Sequence, residues 1–400
     1  MKILSVTAQK PDSTGSGVYL TELVREFDKM GHQQMVIGGV YESDKVTLPA
    51  GVTFAPVYFR SEELPFPITG MSDEMPYDST RYCDMTEEMT EQFIQAFRKV
   101  VKRVVNEFQP DLVICHHLYF LGSMIRELYP ELCICGVCHG SDLRQVKKNP
   151  WQREYIMQQV CKFNRLFALH KEQKDQLVEF YGCDESLVSV IGTGYNSDIF
   201  FRNEEVKLAR EDDMHRFIFA GKLSEKKGVK SLLRATHYLK APEKTEIVLV
   251  GGYATEKELN EIKALAEEAP CKITFLGRIP QPVLAEELNK SDVFILPSFF
   301  EGLPLVNIEA MACGLRVVCT DLPGIQPWMN TYIPDNGVVF VTPPRMENED
   351  EPLAEDLPGF EKSLAEAMEL AYEREAVSAE KIEDVSWKGL ANRLIDNINK

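Results

Sequence analysis

Residues 299–314 read Phe-Phe-Glu-Gly-Leu-Pro-Leu-Val-Asn-Ile-Glu-Ala-Met-Ala-Cys-Gly and follow a short apolar run. This order predicts a strand, a tight loop and then a buried helix. Gly302 permits a sharp turn, Pro304 suits a first helical position, and Gly314 would end the helix. We therefore expect a helix to begin near Leu303, with free amide N–H groups and the positive end of its dipole directed at a phosphate or diphosphate.

Two carboxylates flank this expected anion site. Glu301 precedes the helix start, and Glu309 follows it along the same helix. At helical rise they would be at most roughly 12 Å apart, so they could contact opposite ends of one extended ligand. The alternative is that Glu309 is a helix-face carboxylate and Glu301 a loop charge.

The string from Glu301 to Glu309 and on to Gly314 resembles the donor-binding motif of retaining GT-B glycosyltransferases of family 4. The resemblance implies that Glu301 contacts the transferred sugar and that Glu309 binds the ribose hydroxyls of a nucleotide. It also implies that the loop amides bind the diphosphate. The loop residues concerned are Gly302, Leu303, Pro304 and Leu305. The fold implied is α/β, with two doubly wound, Rossmann-like domains that face each other across a cleft.

Composition excludes some classes of protein. The chain has 400 residues, 44% of them hydrophobic, which predicts two or three domains with substantial cores. Its net charge of -18 argues against nucleic-acid binding, which needs an excess of Lys and Arg. No apolar run approaches membrane-spanning length, and residues 1–6 pass into polar sequence without a signal-peptide pattern. We expect a cytoplasmic protein.

The ten cysteines mostly lie in apolar runs, where reduced Cys behaves as a small hydrophobe. Cys135, Cys138 and His139 have the spacing of a c-type haem attachment site. However, they end a predicted buried strand, and haem attachment would require an exported or otherwise specialised compartment. No second Cys/His pair has zinc-site spacing. We therefore expect no cofactor and no bound metal.

The first third of the chain alternates short apolar strands with helical patterns, which predicts a parallel sheet covered by helices. A glycine loop, residues 11–18, leads into the first helix. It nearly matches the dinucleotide-binding fingerprint, but Leu20 occupies the third Gly position, so a nicotinamide-dependent oxidoreductase is a remote alternative. The loop is also similar to the family segment that closes over the donor phosphate, and Gly15 is its best match.

Two later strands end in polar residues, and in open parallel sheets ligands gather at the carboxyl ends of strands. Residues 139–142, His-Gly-Ser-Asp, follow one of these strands and resemble the acceptor-side motif of the family, whose His lies near the transferred sugar. His139 is therefore our catalytic candidate on the acceptor side. His116 and His117, which follow the other strand, either contact the substrate or simply end the strand.

Lys222 and Lys227 lie in a strand–loop–helix pattern that resembles the family segment whose two basic side chains neutralise the donor diphosphate. Lys222 stands where Arg is common, so a point charge replaces a bidentate fork. The alternative is that both are surface lysines. Backbone groups near Arg278 and Ile279, just after another predicted strand, would contact the base by the same resemblance. Together with Glu301 and His139, the two lysines form our catalytic set.

A helix predicted for residues 87–108 has four basic residues on one face: Arg98, Lys99, Lys102 and Arg103. They could contact anionic lipid at the inner face of a membrane, although a solvated helix face is the simpler interpretation. Residues 60–83 predict a long loop, residues 202–213 a linker, and residues 343–359 an exposed, acidic excursion before a helix over residues 360–374.

Two positions depart from the family pattern, which commonly has Ser where His170 stands and Asp where Asn196 stands. The final stretch, residues 387–400, resembles the family's last helix, which crosses back onto the first domain. We therefore predict an acceptor-side domain over residues 1–203 plus 387–400, and a nucleotide-sugar-binding domain over residues 204–386.

The function that these features predict is retaining, metal-independent transfer of a hexose. The donor would be a UDP-sugar, or else GDP-mannose, and the acceptor a glycan, a lipid-linked sugar or a small molecule in polysaccharide or glycoconjugate biosynthesis. A noncatalytic sugar-nucleotide-binding subunit is the alternative. Such a subunit would keep Glu309 and the lysines but lose the acceptor-side groups, and the presence of His139 and Glu301 argues against it.

Overall fold

The computed structural model describes residues 1–72, 75–208, 213–253, 255–301, 303–347, 351–376 and 380–398. The chain divides into two compact units. The first contains Met1–Thr193 and Trp387–Lys400, and the second contains Gly194–Ser386. The division therefore falls between Thr193 and Gly194, whereas the sequence placed a domain boundary after residue 203.

The strands are β1 (Lys2–Val6), β2 (Gln33–Val40), β3 (Thr53–Tyr58), β4 (Thr69–Gly70), β5 (Thr80–Arg81), β6 (Leu112–His116), β7 (Ile134–Val137), β8 (Arg165–Ala168), β9 (Val188–Val190), β10 (His215–Ala220), β11 (Thr245–Val250), β12 (Lys272–Gly277), β13 (Val293–Leu296), β14 (Arg316–Thr320) and β15 (Val339–Val341).

The helices are α1 (Gly15–Lys29), α2 (Glu87–Phe108), α3 (Phe120–Leu128), α4 (Ser141–Lys148), α5 (Arg153–Val160), α6 (Lys171–Tyr181), α7 (Glu204–Leu208), α8 (Val229–Ala235), α9 (Glu256–Glu268), α10 (Gln281–Asn289), α11 (Leu305–Ala312), α12 (Ile325–Tyr332), α13 (Leu357–Glu373), α14 (Glu380–Glu383) and α15 (Trp387–Ile398).

The first unit is built on a parallel sheet with strand order β3-β2-β1-β6-β7-β8-β9. Its central strands are buried along nearly their whole length, as expected when helices cover both faces of a parallel sheet. β1 pairs with β2 on one side and with β6 on the other. The direction of winding reverses between β1 and β6, which creates a switch point at their carboxyl ends.

The second unit repeats this plan with strand order β12-β11-β10-β13-β14-β15. Counted within the unit, the order is 3-2-1-4-5-6, the Rossmann arrangement. β10 pairs in parallel with both β11 and β13, so the switch point lies at the carboxyl ends of β10 and β13. The predicted fold class, two doubly wound Rossmann-like sheets, is confirmed.

The start and the buried face of helix α2 follow from a capping residue and an apolar repeat in its sequence. Thr86 lies at its N-cap and accepts a hydrogen bond from the backbone N–H of Met89 at 3.1 Å. The apolar residues that recur every three or four positions are buried: Phe93, Phe97, Val101, Val104 and Val105. The helix spans the residues that the sequence predicted.

Three segments predicted as irregular contain regular structure. Residues 60–83 include the paired strands β4 and β5, with Leu64 and Ile68 fully buried beneath them. Short strands of this kind leave no periodic signal in a sequence. Within 202–213, the described residues include α7. Helix α13 begins at Leu357 rather than at residue 360, because Pro358 fits its first turn.

The acidic stretch 343–359 is anchored at both of its described ends. Arg345 binds the carboxylate of Asp356 at 2.8 Å and that of Glu355 at 2.6 Å. Residues 348–350, which include Glu349 and Asp350, lie outside the described residues. The described flanks of this stretch are largely exposed, as predicted, and ion pairs of one arginine tie them together.

Helix α15 packs within the first unit. Trp387 and Leu394 are buried, and the Trp387 ring meets the Tyr19 ring of α1 edge-on, with centroids 5.0 Å apart. The Arg393 guanidinium donates to the carbonyl oxygen of Ile191 at 3.1 Å. Within the part of the chain that the structure describes, every helix falls short of the length and apolar character that a bilayer crossing requires.

Candidate active site

Two loops of the second unit are held together at the switch point, one after β10 and one after β13. Gly228 has φ +69°, and a Cβ built there would lie 2.0 Å from the carbonyl oxygen of Pro297. The N–H of Phe299 donates to the carbonyl of Lys226 at 2.9 Å. Because the backbones touch, the position of one loop fixes the position of the other.

This contact brings together two of the predicted catalytic residues. Lys227 Nζ lies 2.6 Å from Glu301 Oε1, and the hydroxyl of Ser298 donates to the same oxygen at 2.7 Å. Lys222 lies at the start of the same loop and is exposed, and it forms no ion pair with any residue that the structure describes. Of the two predicted lysines, Lys227 is therefore paired with a carboxylate, whereas Lys222 has no ion-pair partner among the described residues.

Helix α11 begins at Leu305, with Pro304 in extended conformation at its N-cap. The prediction that the helix opens near Leu303 and that Pro304 is its first residue is wrong, because Pro304 adopts ψ 104° rather than a helical value. Among the described residues, no side chain caps this helix start. The N–H of Asn307 donates to the carbonyl of Pro304 at 3.2 Å, so the N–H groups of Leu305 and Val306 are the ones available to an anion. Gly302 lies outside the described residues. Gly314, at φ +82°, ends the helix as predicted.

Glu309 lies on the second turn of α11 and is largely enclosed by protein. Burial raises the pKa of its carboxyl from the ordinary value to about 7, because the charged form loses hydration. The side chain forms no hydrogen bond or ion pair with the described residues. A buried carboxylate without a protein partner is suited to accept hydrogen bonds from a ligand.

Glycines allow the ends of β10, β11 and β12 to approach one another closely. The sequence alone did not indicate this role. Gly251 has φ +141°, and a Cβ there would lie 1.7 Å from the carbonyl oxygen of Gly221. A Cβ on Gly252 would meet the Arg278 guanidinium at 2.5 Å. Arg278 is exposed and Ile279 is half-buried. These two predicted base-contacting residues therefore lie beside the end of β11, the strand next to β10.

In the first unit, the glycine loop leads into α1 as predicted. Thr14 is the N-cap residue and accepts a hydrogen bond from the N–H of Gly17 at 3.1 Å. Gly15 is the first helical residue, and a Cβ there would meet nothing within 4 Å. Gly17 is the sterically restricted glycine, since a Cβ there would lie 2.9 Å from the backbone of Lys10. Gly15 leaves open space where a ligand could approach the helix start.

His139 lies with two other histidines at the ends of β6 and β7. Its ring stacks on that of His116, with centroids 5.6 Å apart, and meets that of His117 edge-on at 5.0 Å. Tyr19 of α1 packs against His139 at 5.0 Å. Burial, and then the two neighbouring imidazoles, lower the pKa of His139 well below its ordinary value. The imidazole of His139 is therefore neutral near pH 7.

Asp142, the last residue of the His-Gly-Ser-Asp string, fixes this arrangement. It is fully buried and accepts hydrogen bonds from the N–H groups of Leu118 at 2.8 Å and His139 at 3.1 Å. One carboxylate thereby ties the loop after β6 to the loop after β7. Cys138 also directs its thiol at Asp142, 3.3 Å away, and both Cys135 and Cys138 are buried.

Two family models match consecutive parts of the chain: Glycosyltransferase Family 4 over residues 13–199, and Glycosyl transferases group 1 over residues 200–351. The chain belongs to the GT-B glycosyltransferases. Curated relatives of this glycosyltransferase include the alpha-maltose-1-phosphate synthase of Mycobacterium tuberculosis, 25% identical over 63% of this chain and 70% of that protein. The D-inositol 3-phosphate glycosyltransferase 2 of Catenulispora acidiphila is 27% identical over 78% and 75%.

Solved structures share the fold of this glycosyltransferase along its whole length. Sucrose-phosphate synthase from Thermosynechococcus elongatus superposes with a TM-score of 0.65 at 17% identity, covering 99% of this chain and 98% of that one. The Anabaena protein HepE, in complex with UDP and glucose, gives a TM-score of 0.62 at 14% identity, covering 100% and 99%.

The glycosyltransferase compensates locally for its two departures from the family pattern. His170 is the N-cap residue of α6, and its Nδ1 accepts a hydrogen bond from the N–H of Gln173 at 3.2 Å. The Asn196 side chain accepts from the N–H of Asp198 at 3.0 Å, as an Asp would. Both side chains therefore stabilise the conformation of the backbone that follows them, each through one hydrogen bond. Among the described residues, no group of three or more His, Cys, Asp or Glu side chains is placed to hold a metal ion.

Of the four basic residues predicted on one face of α2, three are exposed, namely Lys99, Lys102 and Arg103, while Arg98 is half-buried. Lys99 forms an ion pair with Glu63. The basic surface of this glycosyltransferase is therefore smaller than the sequence alone indicated.

Proposed function

We propose that this glycosyltransferase moves a hexose from a nucleotide-diphosphate sugar to an acceptor hydroxyl with retention of anomeric configuration. The observation that carries the proposal is the contact of Lys227 with Glu301 at the switch point of the second unit, beside the uncapped start of α11. A UDP-sugar is the favoured donor and GDP-mannose the second choice.

The donor would be bound by groups on the carboxyl edge of the second sheet. Lys222, Lys227 and the amides at the start of α11 bind the diphosphate, which carries the negative charge that these groups attract. Glu309 accepts hydrogen bonds from the ribose hydroxyls, and backbone groups near Arg278 and Ile279 contact the base. Three further groups complete the proposed set: Gly15 near the phosphate, Glu301 at the transferred sugar and His139 on the acceptor side.

The Lys227–Glu301 ion pair has a chemical consequence. In the free protein, Glu301 holds the ammonium group in place, so little reorganisation is needed when a diphosphate arrives. As the bond between the sugar C1 and the phosphate oxygen breaks, its electron pair goes to the diphosphate, where Lys227 and Lys222 stabilise the added charge. The acceptor oxygen bonds to C1 on the same face, and its proton passes to the departing phosphate oxygen. No protein nucleophile is needed.

The relatives support a broad range of acceptors. By their names, they make maltose 1-phosphate or glycosylate an inositol phosphate. For this chain we propose a glycan, a lipid-linked sugar or a small molecule, in polysaccharide or glycoconjugate biosynthesis at the cytoplasmic side of a membrane. Contact with anionic lipid through Lys102 and Arg103 is tested by flotation with phosphatidylglycerol vesicles, and is rejected if these capture no more protein than phosphatidylcholine vesicles do.

A thermal-shift panel of nucleotide sugars tests the proposed donor. A ligand present at a hundred times its dissociation constant adds about 2.7 kcal/mol of stability, which produces a readily measured shift in melting temperature. We expect UDP-glucose or a close analogue to give the largest shift and NADH to give none. Binding without hydrolysis or transfer would favour the noncatalytic subunit, and no shift with any nucleotide sugar would reject the proposal.

A further inference from the structure

Two cysteine thiols lie in contact at the amino end of β7. Cys133 precedes the strand by one residue and Cys135 lies within it, and residues two apart in an extended chain point to the same side. The two thiols are hydrogen-bonded to each other. Cys135 is fully buried, whereas Cys133 is partly exposed. The pair therefore has one member that a solvent-borne reagent can reach, at the edge of the first sheet opposite the one that carries His139.

Strand pairing places an arginine beside these thiols. β8 runs parallel to β7, and Arg165 pairs in register with Cys135. The guanidinium of Arg165 donates from Nε to the carbonyl oxygen of Asn397 at 3.1 Å and from Nη1 to that of Asn164 at 3.3 Å. Both acceptors are neutral. Among the residues that the structure describes, no carboxylate forms an ion pair with Arg165.

A second arginine, Arg126 of α3, approaches the same place from the helix. It is only 4% exposed, and its Nη1 donates to Oδ1 of Asn164 at 3.1 Å. The same amide oxygen accepts from the N–H of Ile134 at 2.9 Å, which ties Arg126 to the residue after Cys133. The other acceptors of Arg126 are main-chain carbonyls. Glu131 attracts this guanidinium from a distance, but the two form no ion pair within the described part of the chain.

A thiolate on Cys133 supplies the negative charge that these two arginines lack, since buried charges are nearly always paired. The hydrogen bond from Cys135, and then Arg126 and Arg165, lower the pKa of Cys133 to about 7, against the effect of partial burial. The same hydrogen bond raises the pKa of Cys135, so Cys135 keeps its proton and acts as the donor. Cys115 also lies near Arg126, but burial raises its pKa to about 12 and it stays a neutral thiol.

We propose that Cys133 is a covalent modification site whose thiolate exchanges with small disulfides that carry carboxylate groups. The Cys133 sulfur attacks one sulfur of the disulfide R–S–S–R, so the S–S bond breaks and a bond from Cys133 to one RS group forms. The other half leaves as RS⁻ and takes a proton from water. The protein thiol is thereby oxidised and the small disulfide is reduced.

Arg126 and Arg165 promote this exchange in two ways. They stabilise the attacking thiolate, and they attract the carboxylates of the reagent. Partly exposed cysteines in positive surroundings are the ones that react, whereas fully buried cysteines are inert. The inference does not depend on glycosyl transfer, because none of these residues belongs to the proposed catalytic set.

The test measures adduct formation on the full chain, reduced beforehand and kept folded. Glutathione disulfide is the reagent, samples are quenched with acid, and tryptic peptides are sequenced by tandem mass spectrometry. Cys133, Cys135 and Cys138 share the peptide 127–144, and fragment ions distinguish them. Cys83, which is exposed, is the internal comparison.

We expect Cys133 to be modified roughly tenfold faster than Cys83 at pH 7, although Cys83 is the more exposed. With a pKa of about 7, roughly half of Cys133 is thiolate at that pH, against a few per cent for an ordinary cysteine. The alkylation rate of Cys133 by iodoacetamide should rise with a midpoint near pH 7. A midpoint at or above about 8.5, the value of a free cysteine, would overturn the inference.

A second thiol pair of the same unit separates the contribution of the arginines. Cys161 is half-buried, and its hydrogen bond with Cys183 also lowers its pKa. However, its Sγ donates to the carbonyl of Tyr181 at 3.1 Å, which requires the proton, and no described cation stabilises its thiolate. Glutathione disulfide should therefore modify Cys133 before Cys161, and cystamine, a cationic disulfide, should narrow or reverse that order. The same rate ratio with both disulfides would contradict the proposal.

Two substitutions complete the experiment. Arg165→Met and Cys135→Ala should each slow modification of Cys133 at pH 7 by roughly threefold to tenfold and move the alkylation midpoint to higher pH. Cys135→Ala keeps the hydrogen bond of Arg165 to Asn397, so it remains informative if Arg165→Met lowers the melting temperature. The inference is wrong if both folded variants react as wild type does, or if Cys83 or Cys161 is modified by glutathione disulfide before Cys133.

Discussion

Glu309 combines a buried position with a proposed role as a charged acceptor. Because burial raises its pKa to about 7, its carboxyl changes charge within the physiological pH range. The charged form is the better acceptor for two ribose hydroxyls. Donor binding should therefore depend on pH through this one residue.

We predict that UDP-glucose binds more weakly to wild-type protein as pH falls from 8 to 6, by up to about tenfold per pH unit below the pKa. Glu309→Gln should bind more weakly at pH 8 and show a nearly flat profile. Isothermal titration at several pH values measures this. Parallel profiles for the two proteins would remove Glu309 from the donor site.

The same residue affects stability. Since its folded pKa is raised, the Glu309 contribution to stability is fully present below the unfolded pKa and is lost as pH rises through about 7. Glu309→Gln should thus gain stability relative to wild type at pH 8 and lose that gain near pH 4, and melting curves at the two pH values serve as a control for folding.

We predict that Lys227→Ala and Lys222→Ala each weaken transition-state stabilisation by roughly 1.5–3 kcal/mol, the scale of hydrogen bonds to charged groups. In Lys227→Ala, Glu301 also loses its ion-pair partner. Lys226→Ala, an exposed lysine of the same loop, is the matched control and should change kcat/KM little. Normal kinetics in both single variants and in the double variant would contradict the charge assignment.

The sequence motifs indicated both Lys227 and Glu301 as candidate site residues, because a motif records residue types and spacing, but they did not predict the ion pair between the two side chains. The sequence could not rank His116 and His117, since their contact with His139 depends on β6 lying beside β7. The sequence also did not indicate that Gly17, rather than Gly15, is the sterically restricted glycine of the first loop. That distinction depends on the position of the surrounding backbone.

At the scale of elements, the donor edge depends on backbone contact between the loops after β10 and β13. The sequence predicted both loops, but the start of α11 was placed two residues early, because an extended Pro304 at the N-cap and a helical one give the same sequence pattern. Gly228 is the residue that permits the contact.

We predict that Gly228→Ala lowers both stability and donor affinity, because its Cβ would overlap the carbonyl of Pro297 and separate Lys227 from Glu301. Gly182→Ala is the matched control: its φ of +67° imposes the same backbone strain, roughly 1–2 kcal/mol, but a Cβ there meets nothing within 4 Å. Urea unfolding and UDP-glucose titration distinguish the two. Equal effects in both variants would show that strain alone matters.

For the whole molecule, two parallel sheets with helices on both faces follow from alternating apolar and helical segments, and this pattern was predictable. The boundary between the units was not predictable. The charged composition of residues 202–208 is typical of a linker, whereas the described residues there include helix α7. The position of α15 was predicted only through family resemblance. Nothing in its local sequence specifies that Trp387 packs against Tyr19 in the first unit.

Removing residues 387–400 should destabilise the first unit, because Trp387, Leu390 and Leu394 are buried and their partners would be exposed to water. We expect a lower melting temperature and increased proteolysis after β9. Arg393→Ala, which loses the hydrogen bond to Ile191 but keeps the apolar face of α15, should show a smaller change. A truncated protein with an unaltered melting curve would contradict the packing of α15.

We propose that this glycosyltransferase catalyses retaining transfer from a nucleotide sugar with charges that the protein itself supplies. Lys222, Lys227 and the start of α11 provide the positive charge, so we predict that turnover needs no divalent cation. The direct test is proton NMR of UDP-glucose hydrolysis in excess chelator, since water can replace the unidentified acceptor. The anomeric proton of the first glucose released should show the α configuration before mutarotation, and Lys222→Ala with Lys227→Ala should abolish the signal. Release of β-glucose would contradict retention, and activity that only Mg²⁺ or Mn²⁺ restores would contradict the assignment of charge to the two lysines and the helix start.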